Sequence, residues 1–293
     1  MTSGSVSCVE TTPSIDPRTR LGRVRLRVRD LDGMTGFYEL AIGLRVLERD
    51  HDRVTLGAGG GPPLVELLHR PAADPRPDTT TGLFHLALLV PDRAELAAAI
   101  RRVTEAGWSF TGASDHLVSE AVYLRDPEGN GIEIYRDRAP AEWDWDDGAV
   151  RMATLPLDVP GVMADLPEAP MPQMSAATVL GHVHLNVADI PATEAFYAGA
   201  LGFDVTTRTY PGALFLSAGG YHHHIGGNTW EGPGAPPPPA GALGLDAFEV
   251  VLPDEASLDL ALARVASAGL ATHEDEAGVL IADPSKNALI LRT

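Results

Sequence analysis

The sequence predicts an α+β protein assembled from four β-α-β-β-β modules. Three observations carry this. Gly22-Arg23-Val24-Arg25-Leu26-Arg27-Val28-Arg29-Asp30 reappears as Gly181-His182-Val183-His184-Leu185-Asn186-Val187-Ala188-Asp189, and in the same ungapped frame Phe37-Tyr38 matches Phe196-Tyr197. His85-Leu86-Ala87-Leu88-Leu89-Val90-Pro91-Asp92 pairs in the same way with Ala247-Phe248-Glu249-Val250-Val251-Leu252-Pro253-Asp254. Both members of this second pair run into a helical stretch closing on Ala-Gly, at Ala106-Gly107 and Ala268-Gly269, and then reach Asp126-Pro127 and Asp283-Pro284. Self-similarity at this scale marks one supersecondary unit used repeatedly.

The modules fall at roughly 21–70, 83–138, 180–227 and 243–293. In the third, residues 182–187 alternate like a strand. Asp189 stands where a helix can begin, with Pro191 in its first turn. That helix continues through Phe196-Tyr197 and ends near Gly199 or Gly202. Residues 203–207, 213–216 and 221–225 follow as short strands between glycines. The second module reads as a strand over 84–90, a helix over 92–106 and strands near 117–124 and 131–136. Residues 1–20 read as a disordered tail, 71–82 and 139–179 as connections, and 230–242 as a proline-rich linker whose alternative role is to cover a site. The modules divide into a first two-module domain at 21–138 and a second at 180–293.

Composition bounds the function. The chain has 293 residues, 44% of them hydrophobic and 21% charged, which is globular rather than disordered. A formal net charge of −18 repels phosphate backbones and anionic lipid, so neither nucleic acid nor a membrane surface is an expected partner. No apolar run is long enough to span a bilayer. The N-terminal stretch has neither the basic start nor the apolar core of a signal peptide. Cys8 is the only cysteine, which excludes a disulfide framework and a cysteine zinc site. The expectation is a cytoplasmic protein acting on a small molecule.

The repeated modules, opening with H-x-x-L-x-V-x-D and closing with D-P-x-G-N-x-I-E, resemble the vicinal oxygen chelate superfamily. It includes glyoxalase I, antibiotic-resistance binding proteins and extradiol ring-cleavage dioxygenases. The resemblance covers all four modules. It implies that modules pair into two cup-shaped mixed sheets, and that first and last strands supply the ligands of one divalent metal. At the first-strand ligand position stand Arg23, His85, His182 and Ala247; at the last-strand position stand Glu66 (a weaker frame), Glu133, the cluster His222-His223-His224, and Leu289. Arginine, alanine and leucine do not bind a divalent cation. Modules 2 and 3 are therefore expected to share the metal cup and modules 1 and 4 to form a metal-free one. The rival pairing of module 1 with 2 would gather Arg23, Glu66, His85 and Glu133.

Taken singly, each candidate reads as an ordinary structural residue. A strand histidine is commonly core, and Glu133 between two isoleucines fits a solvated strand face. Two histidines in one frame plus the matching glutamate read as a ligand set. His184 rivals His182, since residues two apart share a strand face. His85, His182 and Glu133 make a two-histidine, one-carboxylate set of the type that leaves positions open on Fe(II).

Extradiol dioxygenases carry a signature of His, a spacer, an apolar residue with Tyr, then Asp-Pro-x-Gly and Glu. It is matched by His116, Val122-Tyr123, Asp126-Pro127-Glu128-Gly129 and Glu133, with Ser114 as one departure. The resemblance implies that Tyr123 and His116 hydrogen-bond the substrate. It also implies a catalytic acid/base in His223-His224-Ile225-Gly226, for which His223 is the candidate; His222 and His224 replace it if the strand is flipped. The reading is an enzyme similar to the catechol 2,3-dioxygenases, using Fe(II), with Mn(II) compatible, to insert O2 beside the diol of an aromatic substrate. Such folds often assemble as homo-oligomers. The alternatives are a glyoxalase-type isomerase or lyase, which needs a fourth protein ligand, and a metal-free antibiotic-binding protein.

Overall fold

The protein is described here from a computed structural model covering residues 14–293. Cys8 lies outside the described residues. Residues 14–19, assigned above to a disordered tail, are packed: Ile15 is buried and its N–H donates to the Gly202 carbonyl at 2.7 Å. An isoleucine amid polar neighbours carried the signal for this anchor.

Module 1 comprises β1 (Arg20–Val28), α1 (Leu31–Phe37), β2 (Arg45–Arg49), β3 (Arg53–Gly57) and β4 (Pro63–His69). Module 2 comprises β5 (Gly82–Leu89), α2 (Arg93–Glu105), β6 (Gly112–Asp115), β7 (Ser119–Arg125) and β8 (Gly131–Asp137). The connection after it forms the short strands β9 (Trp145–Asp146), β10 (Ala149–Val150) and β11 (Leu155–Pro156) and the helix α3 (Val159–Ala164). Module 3 follows with β12 (Val179–Asn186), α4 (Ile190–Glu194), β13 (Asp204–Thr207), β14 (Ala213–Ser217) and β15 (Ile225–Asn228). Module 4 contains β16 (Gly244–Val251), α5 (Glu255–Ser267), β17 (His273–Asp275), β18 (Gly278–Ala282) and β19 (Ala288–Arg292).

The aspartate closing each repeated first-strand motif caps the helix that follows. Asp30, Asp92, Asp189 and Asp254 accept from the backbone N–H of Gly33, Glu95, Ala192 and Ser257 at 2.7–2.9 Å. Such caps satisfy an amide that the helix cannot, at about 1 kcal/mol each.

Two curled mixed sheets result. One has the order β17-β18-β19-β16-β1-β4-β3-β2 and holds modules 4 and 1. The other, β11-β6-β7-β8-β5-β12-β15-β14-β13, holds modules 2 and 3 and a strand of the connection. Within each module the first strand pairs parallel with the last; across modules, first strands pair antiparallel, β5 with β12 and β1 with β16. The sequence-contiguous halves thus exchange modules between sheets. They stay joined through the repeated Phe-Tyr and Asp-Pro motifs. The Tyr38 hydroxyl donates to Asp126 and the Tyr197 hydroxyl to Asp283, each at 3.2 Å, linking module 1 to 2 and module 3 to 4.

The last-strand position of module 4 is Ile290, not Leu289 as the sequence frame suggested. Glu249 pairs with Ile290 as Ala87 pairs with Glu133. The correction leaves that position apolar. In the β1/β16 sheet Arg23 holds the place of His85 and Glu66 that of Glu133. The Arg23 guanidinium lies 2.7 Å from buried Glu249 and 3.5 Å from buried Glu66. Among the described residues no helix is long and apolar enough to cross a membrane.

The tyrosine–aspartate links generate a pH prediction. Burial pushes Asp126 and Asp283 up to about 6, against the Asn130 and Asn287 donors that hold them down. The unfolded value is about 3.9, so the folded chain binds these two protons more tightly. Their contribution to stability is full below about pH 4 and is lost as pH rises to about 6. Denaturant titrations across this interval should show a smaller decline in Asp126→Asn than in the unsubstituted protein. Equal declines would contradict the assignment.

Candidate metal centre

The centre forms where β5 and β12 run antiparallel. Their register sets His184 opposite His85 and His182 opposite Ala87. Glu133 comes from β8, paired with Ala87. Glu133 Oε2 lies 3.0 Å from His85 Nε2 and 3.2 Å from His182 Nε2. All three side chains are buried, and one donor atom from each lies within 4.8 Å of the others. His85 Nε2 approaches the carboxylate without hydrogen-bond geometry and has no other partner. A cation between the two groups would satisfy both.

The electrostatics suit a cation. Burial pushes Glu133 up, but His182 and His85 outweigh it and hold the carboxyl well below its ordinary range, so it stays ionised. Burial lowers His182 to about 4, which leaves a neutral imidazole able to ligate. Among the described residues the converging set has three members. The last-strand position of module 3 explains the missing fourth. Gly226 pairs with His184 as Glu133 pairs with Ala87. A side chain at Gly226 would meet the His184 ring at 3.0 Å, so that ring fills the space a fourth ligand would need.

A cavity of about 370 Å³ opens onto these groups. His116 and Tyr123 line it, along with His223 and His184. The Tyr123 hydroxyl and His116 Nε2 are 2.5 Å apart, and His116 Nδ1 is 2.7 Å from the Ala153 carbonyl. A carbonyl only accepts, so Nδ1 carries the ring proton and Nε2 accepts from the Tyr123 hydroxyl. Burial, then the Glu133 charge, pushes the Tyr123 hydroxyl well above its ordinary value, so it remains a donor. The turn that aims His116 is held by Asp115, whose side chain accepts from the Leu117 N–H at 2.9 Å, with Leu117 at φ +71°.

The triple histidine precedes β15 rather than lying in an extended strand over 221–225, so strand alternation does not decide its orientation. Contacts do. His223 lines the cavity with its ring centroid 4.2 Å from that of His182. His222 turns away to Asp137 at 2.8 Å, and His224 Nδ1 accepts from the Ala218 N–H at 3.2 Å.

Several walls were not singled out from sequence. Phe84, Met152, Phe215 and Trp230 line the cavity. Trp230, first residue of the proline-rich stretch taken for a linker, packs 5.2 Å from Phe84 and 5.4 Å from His184, so that stretch begins as part of the wall. The 139–179 connection contributes Met152 and the carbonyl that orients His116. An aromatic residue amid prolines was the available signal; Met152 had none.

The chain is similar to proteins of known family. The model of the Glyoxalase/Bleomycin resistance protein/Dioxygenase superfamily matches residues 20–134 and 179–290. The chain belongs to this superfamily. A catechol-2,3-dioxygenase of Bacillus subtilis is 42% identical over 281 residues, covering 94% of this chain and 98% of that protein. A biphenyl-2,3-diol 1,2-dioxygenase of Rhodococcus globerulus is 29% identical over 129 residues, 40% of this chain and 63% of that protein. Among solved structures, glyoxalase I of Zea mays superposes with a TM-score of 0.57 at 18% identity, covering 93% and 92% of the two chains, which shows the shared fold. Within the superfamily this chain is an extradiol-dioxygenase-like enzyme.

Metal analysis after Fe(II) loading checks the ligand set. One equivalent per chain is expected, with loss of about tenfold or more in affinity on His182→Ala or Glu133→Ala and retention on Glu66→Ala. Loss on Glu66→Ala with retention on His182→Ala would move the site to modules 1 and 2.

Proposed function

We propose that the protein is an extradiol ring-cleavage dioxygenase. His85, His182 and Glu133 would hold Fe(II), and the same donors accept Mn(II). The substrate would be an uncharged catechol bearing an apolar substituent, with O2 as co-substrate. The acidic surface and the small-molecule cavity fit a cytoplasmic enzyme. The observation that carries the reading is the conjunction of a three-donor centre with the His116–Tyr123 pair and His223 on one cavity. A three-ligand set leaves coordination positions for diol and O2, which the four-ligand isomerase alternative does not, and a metal-free binding protein would not need the converging donors. When bound, the metal supplies a template and charge stabilisation for the two substrates.

The protein groups divide the remaining work. Neutral His223 is placed to take a proton from a catechol hydroxyl, since burial holds its ring well below the ordinary histidine value. The Tyr123 hydroxyl, kept protonated and donating to His116 Nε2, presents its oxygen as an acceptor to a substrate hydroxyl. His116 orients the Tyr123 hydroxyl through Nε2, while its Nδ1 is held by the Ala153 carbonyl. Phe84, Phe215, Met152 and Trp230 exclude water and offer an apolar wall to a ring substituent. Arg125 is the cavity's one cationic side chain; it is exposed and donates to the Gly129 carbonyl. That leaves no buried cation for a substrate carboxylate.

Anaerobic reconstitution with Fe(II), followed by a catechol and air, tests the proposal. One O2 should be consumed per catechol with a yellow ring-opened product. Alkyl- or arylcatechols should exceed dihydroxybenzoates in kcat/KM. His223→Ala should lower kcat about 10²–10⁴-fold with metal retained. Bound metal without O2 uptake on any catechol would overturn the reading.

A further inference from the structure

The histidine that faces the cavity ends a chain of hydrogen bonds that begins at the protein surface. His222 Nε2 lies 2.8 Å from Asp137 Oδ1, and His222 Nδ1 lies 2.7 Å from His223 Nδ1. His223 Nε2 makes no hydrogen bond among the described residues, and its ring lines the cavity. The middle ring, His222, is completely buried. Tyr221 lies against one side of it, with centroids 4.1 Å apart, and Trp143 meets it edge-on at 5.2 Å. Tyr221 is itself tied to the Tyr135 hydroxyl at 2.7 Å. His222 therefore has two polar neighbours only, one at each ring nitrogen.

The donor directions follow from elementary rules. An ionised carboxylate only accepts, so His222 Nε2 carries a proton toward Asp137. A neutral imidazole carries one proton, so His222 Nδ1 is a lone pair and accepts. His223 Nδ1 must then be the donor, which leaves the lone pair of His223 on Nε2, facing the cavity. We propose that Asp137 and His222 are positioning residues that fix His223 in the Nδ1–H tautomer and so make its Nε2 the base of the site. This rests on the dioxygenase reading for what His223 acts upon, but not for the tautomer itself. In the step, the catechol O–H bond breaks, its electron pair stays on oxygen, and the proton forms a new N–H bond at His223 Nε2. The resulting imidazolium keeps its Nδ1–H on His222, and through His222 its charge is opposed by Asp137.

The placement has a simple origin. Residues two apart along a strand share a face. Glu133, Tyr135 and Asp137 are three such positions on β8. One strand thus carries the carboxylate of the metal centre at one end of its face and the carboxylate of the relay at the other. The Asp137 side chain is 19% exposed, which places that end of the chain of hydrogen bonds at the surface.

Long-range ¹H–¹⁵N correlation on the metal-free full-length chain reads imidazole tautomers directly. His223 is expected as Nδ1–H and His222 as Nε2–H, with His223 losing its single tautomer in Asp137→Asn. Kinetics of the Fe(II)-loaded enzyme supply the second reading. Asp137→Asn and His222→Phe should lower kcat at least about tenfold, with KM and bound iron unchanged, and Asp137→Glu should restore part of the loss. His223 found as Nε2–H, or both rings doubly protonated, would overturn the inference whatever the activity. The expected tautomers with kcat unchanged in Asp137→Asn would overturn the role of the dyad. An inactive unsubstituted enzyme with the expected tautomers would sink the dioxygenase reading and leave the relay standing.

Discussion

The site depends on one constraint, the antiparallel pairing of β5 with β12. Side-chain direction alternates along a strand, so a register slip of one residue would turn a whole face outward. In the observed register His85 and His184 are opposite one another and His182 follows two residues along, all on the concave face. The parallel pairing of β8 with β5 then brings Glu133 beneath them. Every other feature is arranged around this seam: the His116 turn at one edge, the triple histidine at the other, and Trp230 across the opening.

The same architecture with other residues gives a different outcome in the β1/β16 sheet. Arg23 occupies the place of the first histidine and Glu66 that of the glutamate, and Arg23 also meets Glu249. A guanidinium is a fixed monovalent cation that pairs with both carboxylates. There the protein's own charge neutralises the acidic cluster, and Arg292 and Arg53 add to it from the rim. In the β5/β12 sheet the carboxylate faces two imidazoles and no guanidinium. This contrast leaves one sheet neutralised by its own side chains and the other with converging donors that suit a cation.

Much of this was legible in the chain itself, because repeats double each observation. The Val/Leu-x-Asp ending located four strands and four capped helices at once, and the frame it set distinguished His182 from His184. The Asp-Pro turns were visible as motifs, although their bonds to Tyr38 and Tyr197 were not, since a tertiary hydrogen bond leaves no local pattern. The weaker readings came where repeats gave no frame. Residues 221–225 read as strand because they lie between glycines, but the backbone becomes extended only at Ile225. The proline-rich stretch and the 139–179 connection looked like spacers by composition. Their functional parts, Trp230 and the Ala153 carbonyl, act through position in space, which composition does not encode. The reason Gly226 supplies no fourth ligand was hidden in the same way: a glycine acquires meaning only when its strand partner, His184, is known.

Anomalous diffraction from crystals loaded with Fe(II) or Mn(II) would test the central claim most directly. The account predicts a single peak per chain within bonding distance of His85 Nε2, His182 Nε2 and Glu133 Oε2, with no fourth protein ligand. A peak at Glu66 and Glu249, or a fourth ligand drawn from the histidine cluster, would contradict it.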